Sequence, residues 1–129
     1  MHNLRQVLET NVFGVVAVTQ AMLPLLQQAP AGRVVSVSST MGSLTMNADT
    51  DFFHRSIVDT AYVPSKSVLN TITIAFAIEL ESTSIKGVCP GYTATALNNF
   101  QGHRSVEQAA REPVRLALLD ADGPTRDVE

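Results

Sequence analysis

The chain has 129 residues, of which 45% are hydrophobic, and a formal net charge of −3. This length predicts one domain, and this hydrophobic content is enough to build a core, which argues against a disordered chain. The charged residues form no basic block, which argues against nucleic acid as a partner. Cys89 is the only cysteine, so an internal disulfide is excluded. We interpret it as a small apolar residue and expect a reducing, cytoplasmic location.

Neither a membrane span nor a metal site is predicted. Polar residues and Pro24 interrupt the apolar stretches, and the start of the chain has no secretory or transit pattern. His2, His54 and His103 share no metal-ligand spacing. The acidic residues around His54 lack the spacing and the glycine of a calcium loop, so we interpret them as solvated loop residues.

A long helix is predicted at the start of the chain, ending near Pro30 and Gly32. Apolar residues recur at helical spacing from Leu4 onwards, and Asn3 with Gln6 has the pattern of a capping box. The apolar stripe widens in the middle of this helix, so we expect cover there on two sides.

A short buried strand is predicted over Arg33–Ser38, and a second hydroxyl residue, Ser39, follows it. Residues 42–59 then read as a polar, irregular segment with one apolar pair, Phe52-Phe53.

The next helix, predicted over Thr60–Ser82, carries Tyr62 and Lys66 on one face. A nearby cation lowers the pKa of a phenol from its usual value of about 10, which would let Tyr62 act as a general acid or base. A serine hydroxyl aimed at the same oxygen can stabilise developing charge. The alternative is a solvated contact worth about 0.2–0.5 kcal/mol.

Beyond Lys66 this helix has almost no polar face, so we expect it to be buried on all sides. Pro64 falls in its first turn, where proline is tolerated. A second strand is predicted over Ile85–Cys89 and is followed by a Pro-Gly turn. A third helix should begin after Ser105, and residues 120–129 should form a loose polar tail.

Four motifs occur in one order along the chain: Asn-Val-x-Gly from Asn11, Val-x-Val-Ser-Ser-x-x-Gly from Val35, Tyr-x-x-x-Lys from Tyr62 and Pro-Gly-x-x-x-Thr from Pro90. This ordered set resembles the short-chain dehydrogenase/reductase family. The resemblance implies an α/β, partial Rossmann-like, doubly wound fold with about two parallel strands and three main helices. It implies a catalytic region over residues 1–119.

The resemblance also implies roles for individual residues. Tyr62 would be the acid/base, and Lys66 would lower its pKa and hold the nicotinamide ribose. Ser39, rather than Ser38, would bond the substrate oxygen. Asn11 would support a proton-relay water through its backbone, at a local break in the first helix.

The nicotinamide end of NADP or NAD would be lined by Tyr62 and Lys66 together with Pro90, Gly91, Thr93 and Thr95. The threonine hydroxyls could instead bond their own loop, Ser39 could simply end a strand, and the amide of Asn11 could lie in water. In this family the substrate pocket commonly borders the segment 42–59, which would then be a lid or pocket wall. A plain surface insertion remains the alternative.

The implied function is NAD(P)-dependent oxidation or reduction of a small carbonyl or alcohol, with homo-oligomers formed through the two apolar helices. One alternative is a non-catalytic protein that associates through those helices, perhaps with a full-length relative. Related sugar-nucleotide epimerases and dehydratases rank low, because the short carboxy-terminal region leaves no room for their substrate domain.

Three features predict a truncated form. The seven glycines include no Gly-x-Gly-x-x-Gly turn for a pyrophosphate. The strand Ile85–Cys89 looks about two residues shorter than in the family, which would displace the following loop by about 6–7 Å. Pro113 falls inside the third helix, where proline costs roughly 3 kcal/mol or forces a kink.

Overall fold

A computed structural model describes residues 2–52, 59–80 and 83–119 of the chain. The predictions for Phe53, His54, the last two residues of the Tyr–Lys helix and the tail 120–129 lie outside the described residues.

The first helix is a continuous rod with one widened turn. It consists of α1 (His2–Leu8), a π-helical turn (Glu9–Phe13) and α2 (Gly14–Gln28). The N–H of Gly14 donates to the carbonyl of Glu9, five residues back. The predicted local break at Asn11 is therefore confirmed. The predicted cap at Asn3 is wrong, because Asn3 lies inside α1, whereas a capping residue has extended backbone.

The sheet has two parallel strands, β1 (Arg33–Val37) and β2 (Ser84–Val88), in a register that pairs Val37 with Val88. Each strand ends one residue earlier than predicted, although the N–H of Ser38 still donates to the carbonyl of Val88 at 2.7 Å. The α/β class and the parallel pairing are confirmed.

The segment after β1 is more regular than predicted. A 3₁₀ turn (Thr40–Gly42) leads into the short helix α3 (Leu44–Ala48). Ser43 caps α3, because its hydroxyl accepts the N–H of Met46 at 3.3 Å. The prediction of an irregular segment over residues 42–59 missed this cap. Phe52, at the end of this described stretch, is buried.

The Tyr–Lys helix, α4 (Tyr62–Glu79), covers one face of the sheet. Its buried residues Ser65, Leu69 and Thr73 recur every four positions, and α4 packs against β2, where Ile85 and Val88 are also buried. In the described part of the chain the sheet is two strands wide, and the buried stripe is correspondingly narrow.

The prediction that α4 is buried on all sides is wrong for this chain. Ile78 is 61% exposed and Ile74 is half exposed, because the two strands cover only one face. The rod is similarly open, with Val18 65% exposed. Two apolar helix surfaces therefore face away from the core.

By length and composition, the rod from Asn3 to Gln28 is able to cross a membrane. The expectation that Pro24 excludes such a span does not hold, because α2 accommodates Pro24 in its interior. A core helix of a soluble protein meets the same criterion, so the criterion alone does not assign the rod to a membrane.

The last described helix is α5 (Val106–Ala117), which follows the 3₁₀ turn Ala96–Asn98. Ser105 and Gln108 form the predicted capping box. The helix continues through Pro113, whose missing N–H deprives the carbonyl of Ala109 of its helical donor.

Leu69→Ala should lower the free energy of unfolding by about 2–5 kcal/mol, because it opens a cavity between α4 and the sheet. Ile74→Ala, on the exposed face of the same helix, should change it by no more than about 0.5 kcal/mol. Urea unfolding followed by circular dichroism measures both variants. Equal losses would contradict the burial pattern described above.

Candidate active site

Side chains from the end of β1 and the start of α4 converge. The ammonium of Lys66 donates to the carbonyl of Val37 at 2.8 Å, and its nitrogen lies 5.7 Å from the centroid of the Tyr62 ring. The hydroxyl of Ser39 lies close enough to the phenol of Tyr62 to lower its pKa. Ser39, Tyr62 and Lys66 thus lie at one edge of the sheet, and their catalytic roles stay predictions.

Local capping holds both segments in place. Ser39 caps the 3₁₀ turn by accepting the N–H of Met41 at 3.2 Å. A carboxylate oxygen of Asp59 accepts the N–H groups of Ala61 at 2.6 Å and Tyr62 at 2.7 Å. Both hydrogen bonds lower the pKa of Asp59, and the bond from Tyr62 has the larger effect. The carboxylate of Asp59 is therefore ionised at neutral pH.

The electrostatics of Tyr62 differ from the prediction. Burial raises the pKa of its phenol, and this effect outweighs the hydrogen bond from Ser39, which lowers it; nearby Cys89 raises it further. The ammonium of Lys66 bonds Val37 and lies over the ring of Tyr62. Burial also lowers the pKa of Lys66 itself. The expectation that the Tyr62 pKa lies below its ordinary value is therefore wrong here.

Asn11 reaches the site through a residue that the sequence analysis missed. Its side-chain amide donates to the hydroxyl of Ser65 at 3.0 Å, and that hydroxyl donates to the carbonyl of Tyr62 at 2.7 Å. Ser65 is fully buried. The amide is thus bonded to protein rather than to water alone. The signal that could have identified Ser65 is its own position: it is a polar residue in the buried stripe of α4, directly before Lys66.

Cys89 lies at the site rather than in the core. It is half-buried, and its sulfur accepts the N–H of Thr40 at 3.3 Å, which joins the ends of the two strands. Its proximity is one cause that raises the pKa of both Tyr62 and Lys66, although burial is the largest cause at each. The interpretation of Cys89 as a small buried apolar residue was therefore incomplete.

The Pro-Gly loop is held by its own bonds. The hydroxyl of Thr93 donates to the carbonyl of Gly91 at 3.1 Å, and the backbone N–H of Thr95 donates to the side chain of Asn98 at 3.1 Å. Gly91 has a φ of 78°, a conformation that suits glycine. The bond from Thr93 agrees with the alternative interpretation, in which the threonine hydroxyls bond their own loop rather than the cofactor. The cofactor contacts of Pro90, Gly91, Thr93 and Thr95 stay predictions.

Two cavities border the converging side chains. A groove of about 610 Å³ lies between α2 and β1 and includes Asn11 and Lys66 in its lining. A smaller cavity of about 200 Å³ lies on the side of Ser39 and Cys89. Ser43 and Met46 help to line the smaller one, which favours the pocket-wall interpretation of the segment after β1.

The residues at the groove fit the nicotinamide end of a dinucleotide. An ammonium has three N–H donors, and Lys66 directs one of them to Val37. Within the described ranges, this bond leaves two N–H donors of Lys66 at the edge of the groove, and its contact with a ribose stays a prediction.

Comparison with known proteins agrees with this arrangement. The family model for short chain dehydrogenases matches residues 1–105. This chain belongs to the short chain dehydrogenase family. The order of the four motifs and the two parallel strands both fit that membership.

Three relatives illustrate the likeness. (−)-Isopiperitenone reductase of Mentha piperita is 34% identical, over 90% of this chain and 48% of its own length. The structure of salutaridine reductase from Papaver somniferum aligns with a TM-score of 0.81 at 30% identity, over 95% of this chain and 53% of that one. A short chain dehydrogenase from Shigella flexneri, complexed with NADP, has a TM-score of 0.58 at 29% identity, over 73% of this chain and 36% of that one.

The chain spans about half the length of the curated relatives it matches. The matched half contains all four motifs described above.

Ser39→Ala should raise the pKa of Tyr62 further, because the lost hydrogen bond stabilises the phenolate. The chain has two tyrosines and no tryptophan, so in a Tyr92→Phe background the phenolate absorbance reports Tyr62 alone. Circular dichroism at each pH checks that the chain stays folded. A pKa that is unchanged or lower in Ser39→Ala would contradict the contact.

Proposed function

We propose that this chain carries the catalytic residues of an NAD(P)-dependent oxidoreductase acting on a small carbonyl or alcohol. The observation that carries the proposal is the meeting of the Ser39 hydroxyl, the Tyr62 phenol and the Lys66 ammonium at the end of β1. The names of the relatives, two of them reductases, and the NADP in the Shigella structure support this class of reaction and cofactor.

A bound nicotinamide would supply or accept the hydride at the substrate carbon, and the side chains of the protein would manage the proton. The phenol of Tyr62 donates its proton to the substrate oxygen during reduction. The phenol is protonated at neutral pH, as a proton donor must be, whereas the burial that raises its pKa makes it a weaker acid than a phenol in water. The hydroxyl of Ser39 bonds the same oxygen and stabilises charge that develops there.

Lys66 and Asn11 have supporting roles. The two remaining N–H donors of Lys66 would hold ribose hydroxyls, and its bond to Val37 fixes the ammonium beside the groove. Asn11, through Ser65, ties the π-helical turn to the first turn of α4, where Tyr62 lies. π-Helical turns occur frequently at functional sites.

Replacing Tyr62 with Phe should lower kcat by at least about a hundredfold, because the proton donor is removed while the ring is kept. Loss of NADPH or NADH absorbance with a panel of ketones and aldehydes measures turnover. Thr71→Ala is the matched control, because it also removes a hydroxyl from α4, at an exposed site. Absence of both turnover and a thermal shift with either dinucleotide would refute the proposal for this chain.

The affinity should come almost entirely from the nicotinamide end. No Gly-x-Gly-x-x-Gly turn occurs in the 129 residues, so these residues lack the usual cradle for a pyrophosphate. Reduced nicotinamide mononucleotide should therefore bind this chain within about tenfold of NADPH, because the adenosine half adds cost without matching contacts. Calorimetric titration compares the two. A much tighter NADPH complex would contradict this expectation.

A second candidate function is association through the open helix surfaces. The exposed apolar residues of α2 and α4 favour it, since contiguous apolar surface marks interaction sites. The partner would be a second copy of this chain or a full-length relative.

Ile78→Glu should abolish such association, because it places a charge on the exposed apolar surface of α4. Sedimentation velocity gives the oligomeric state of the purified chain. Val114→Glu, at an equally exposed position on α5, is the control and should leave it unchanged. If the wild-type chain is monomeric, self-association is ruled out as its function.

A further inference from the structure

Three side chains at four-residue intervals on α4 lie near three consecutive residues at the carboxyl end of β1. Tyr62 lies near Ser39, whose hydroxyl lowers its pKa. Lys66 is hydrogen-bonded to Val37, and Asn70 is hydrogen-bonded to Ser38. The first two pairs belong to the site described above. In the third pair, Ser38 belongs to the Val-x-Val-Ser-Ser-x-x-Gly motif, whereas Asn70 lies outside every motif that the sequence analysis used.

The contact between Ser38 and Asn70 is made in a shielded place. Ser38 is only 5% exposed, and its hydroxyl donates to the side-chain carbonyl oxygen of Asn70. Its backbone N–H donates to the carbonyl of Val88. Ser38 therefore has both of its donors engaged, one by the neighbouring strand and one by the helix. A buried hydroxyl that loses its acceptor has to find another, which moves the backbone that carries it.

Asn70 also lies against the far end of the same turn. A Cβ atom built on Gly42 would lie 2.9 Å from the side-chain nitrogen of Asn70 and 2.7 Å from the carbonyl carbon of Lys66. The hydroxyl of Ser67 donates to the carbonyl of Gly42 at 2.9 Å. The helix thus holds the stretch from Ser38 to Gly42 at both ends, with Ser39 between them.

We propose that Asn70 is a positioning residue, which fixes the turn between Ser38 and Gly42 so that the hydroxyl of Ser39 meets the phenol of Tyr62. Its effect on turnover rests on the proposed function, whereas its effect on the contact between Ser39 and Tyr62 does not. Asn70 acts through its side-chain oxygen as an acceptor.

A competing role exists for the same side chain. Asn70 helps to line the smaller cavity together with Ser39 and Cys89. From there its amide N–H could donate directly to a substrate. The two roles use different atoms of one side chain, and a change of the amide to a carboxylate separates them.

Asn70→Ala should lower kcat by about tenfold to a hundredfold with the KM for NADPH changed by less than about twofold, because misplaced groups slow the chemical step. Asn70→Asp keeps an acceptor oxygen and should recover most of kcat. Thr71→Ala is the control on the same helix. A wild-type kcat in Asn70→Ala would overturn the proposal. An Asn70→Asp variant as slow as Asn70→Ala would also overturn it, because the role would then belong to the amide N–H.

A second measurement needs no turnover. In the Tyr92→Phe background, Asn70→Ala and Ser38→Ala should each raise the pKa of Tyr62, in the same direction as Ser39→Ala. Lys66 and Cys89 face Tyr62 in all of these variants, so their influence is common to them. The double change at Ser38 and Asn70 should shift the pKa no further than either single change, because both break one contact.

The two measurements separate the two proposals. A wild-type chain without turnover, in which the Tyr62 titration still moves as expected, would refute the proposed function and keep Asn70 as a positioning residue. If neither Ser38→Ala nor Asn70→Ala changes the pKa of Tyr62, the positioning role is refuted, whatever the turnover. If Asn70→Ala does not fold, as judged by circular dichroism, Ser38→Ala alone decides the question.

Discussion

The bond from the Lys66 ammonium to the carbonyl of Val37 is the constraint on which the site depends. It joins the helix that carries the phenol to the strand whose end carries the serine. A charge-assisted hydrogen bond such as this one, at 2.8 Å, is shorter and stronger than a neutral one. It also gives the cation a fixed partner other than the phenol. Lys66 is therefore first an anchor between α4 and β1, and only then a charge near Tyr62.

Burial sets the electrostatics that follow from this anchoring. The same packing that fixes Tyr62 and Lys66 removes water from both, which disfavours the charged form of each. Ser39 opposes that effect for the phenol through one hydrogen bond. The balance at Tyr62 thus depends on the position of a single hydroxyl. That position depends in turn on a short turn held against α4 at both ends.

The sequence predicted the order of strand, helix and strand well, because valine-rich runs and hydroxyl-rich strand ends have strong local signals. It also predicted the convergence of Ser39, Tyr62 and Lys66, because helical spacing and parallel pairing place them at one sheet edge. It could not predict which helix faces are covered, since that depends on the width of the sheet. The contacts of Ser65 and Asn70 were missed because single polar residues on an apolar helix carry no motif.

The widened stripe of the first helix has a physical explanation in the π-helical turn. The extra residue in that turn rotates everything before Glu9 relative to everything after Phe13, so no single 3.6-residue period fits both parts. The parallel sheet has a different consequence, for folding kinetics. Arg33 and Ser84 pair across the whole of α3 and α4, so loop closure precedes strand pairing. The helices can form early, whereas the alignment of phenol and hydroxyl exists only after this slow, non-local step is complete.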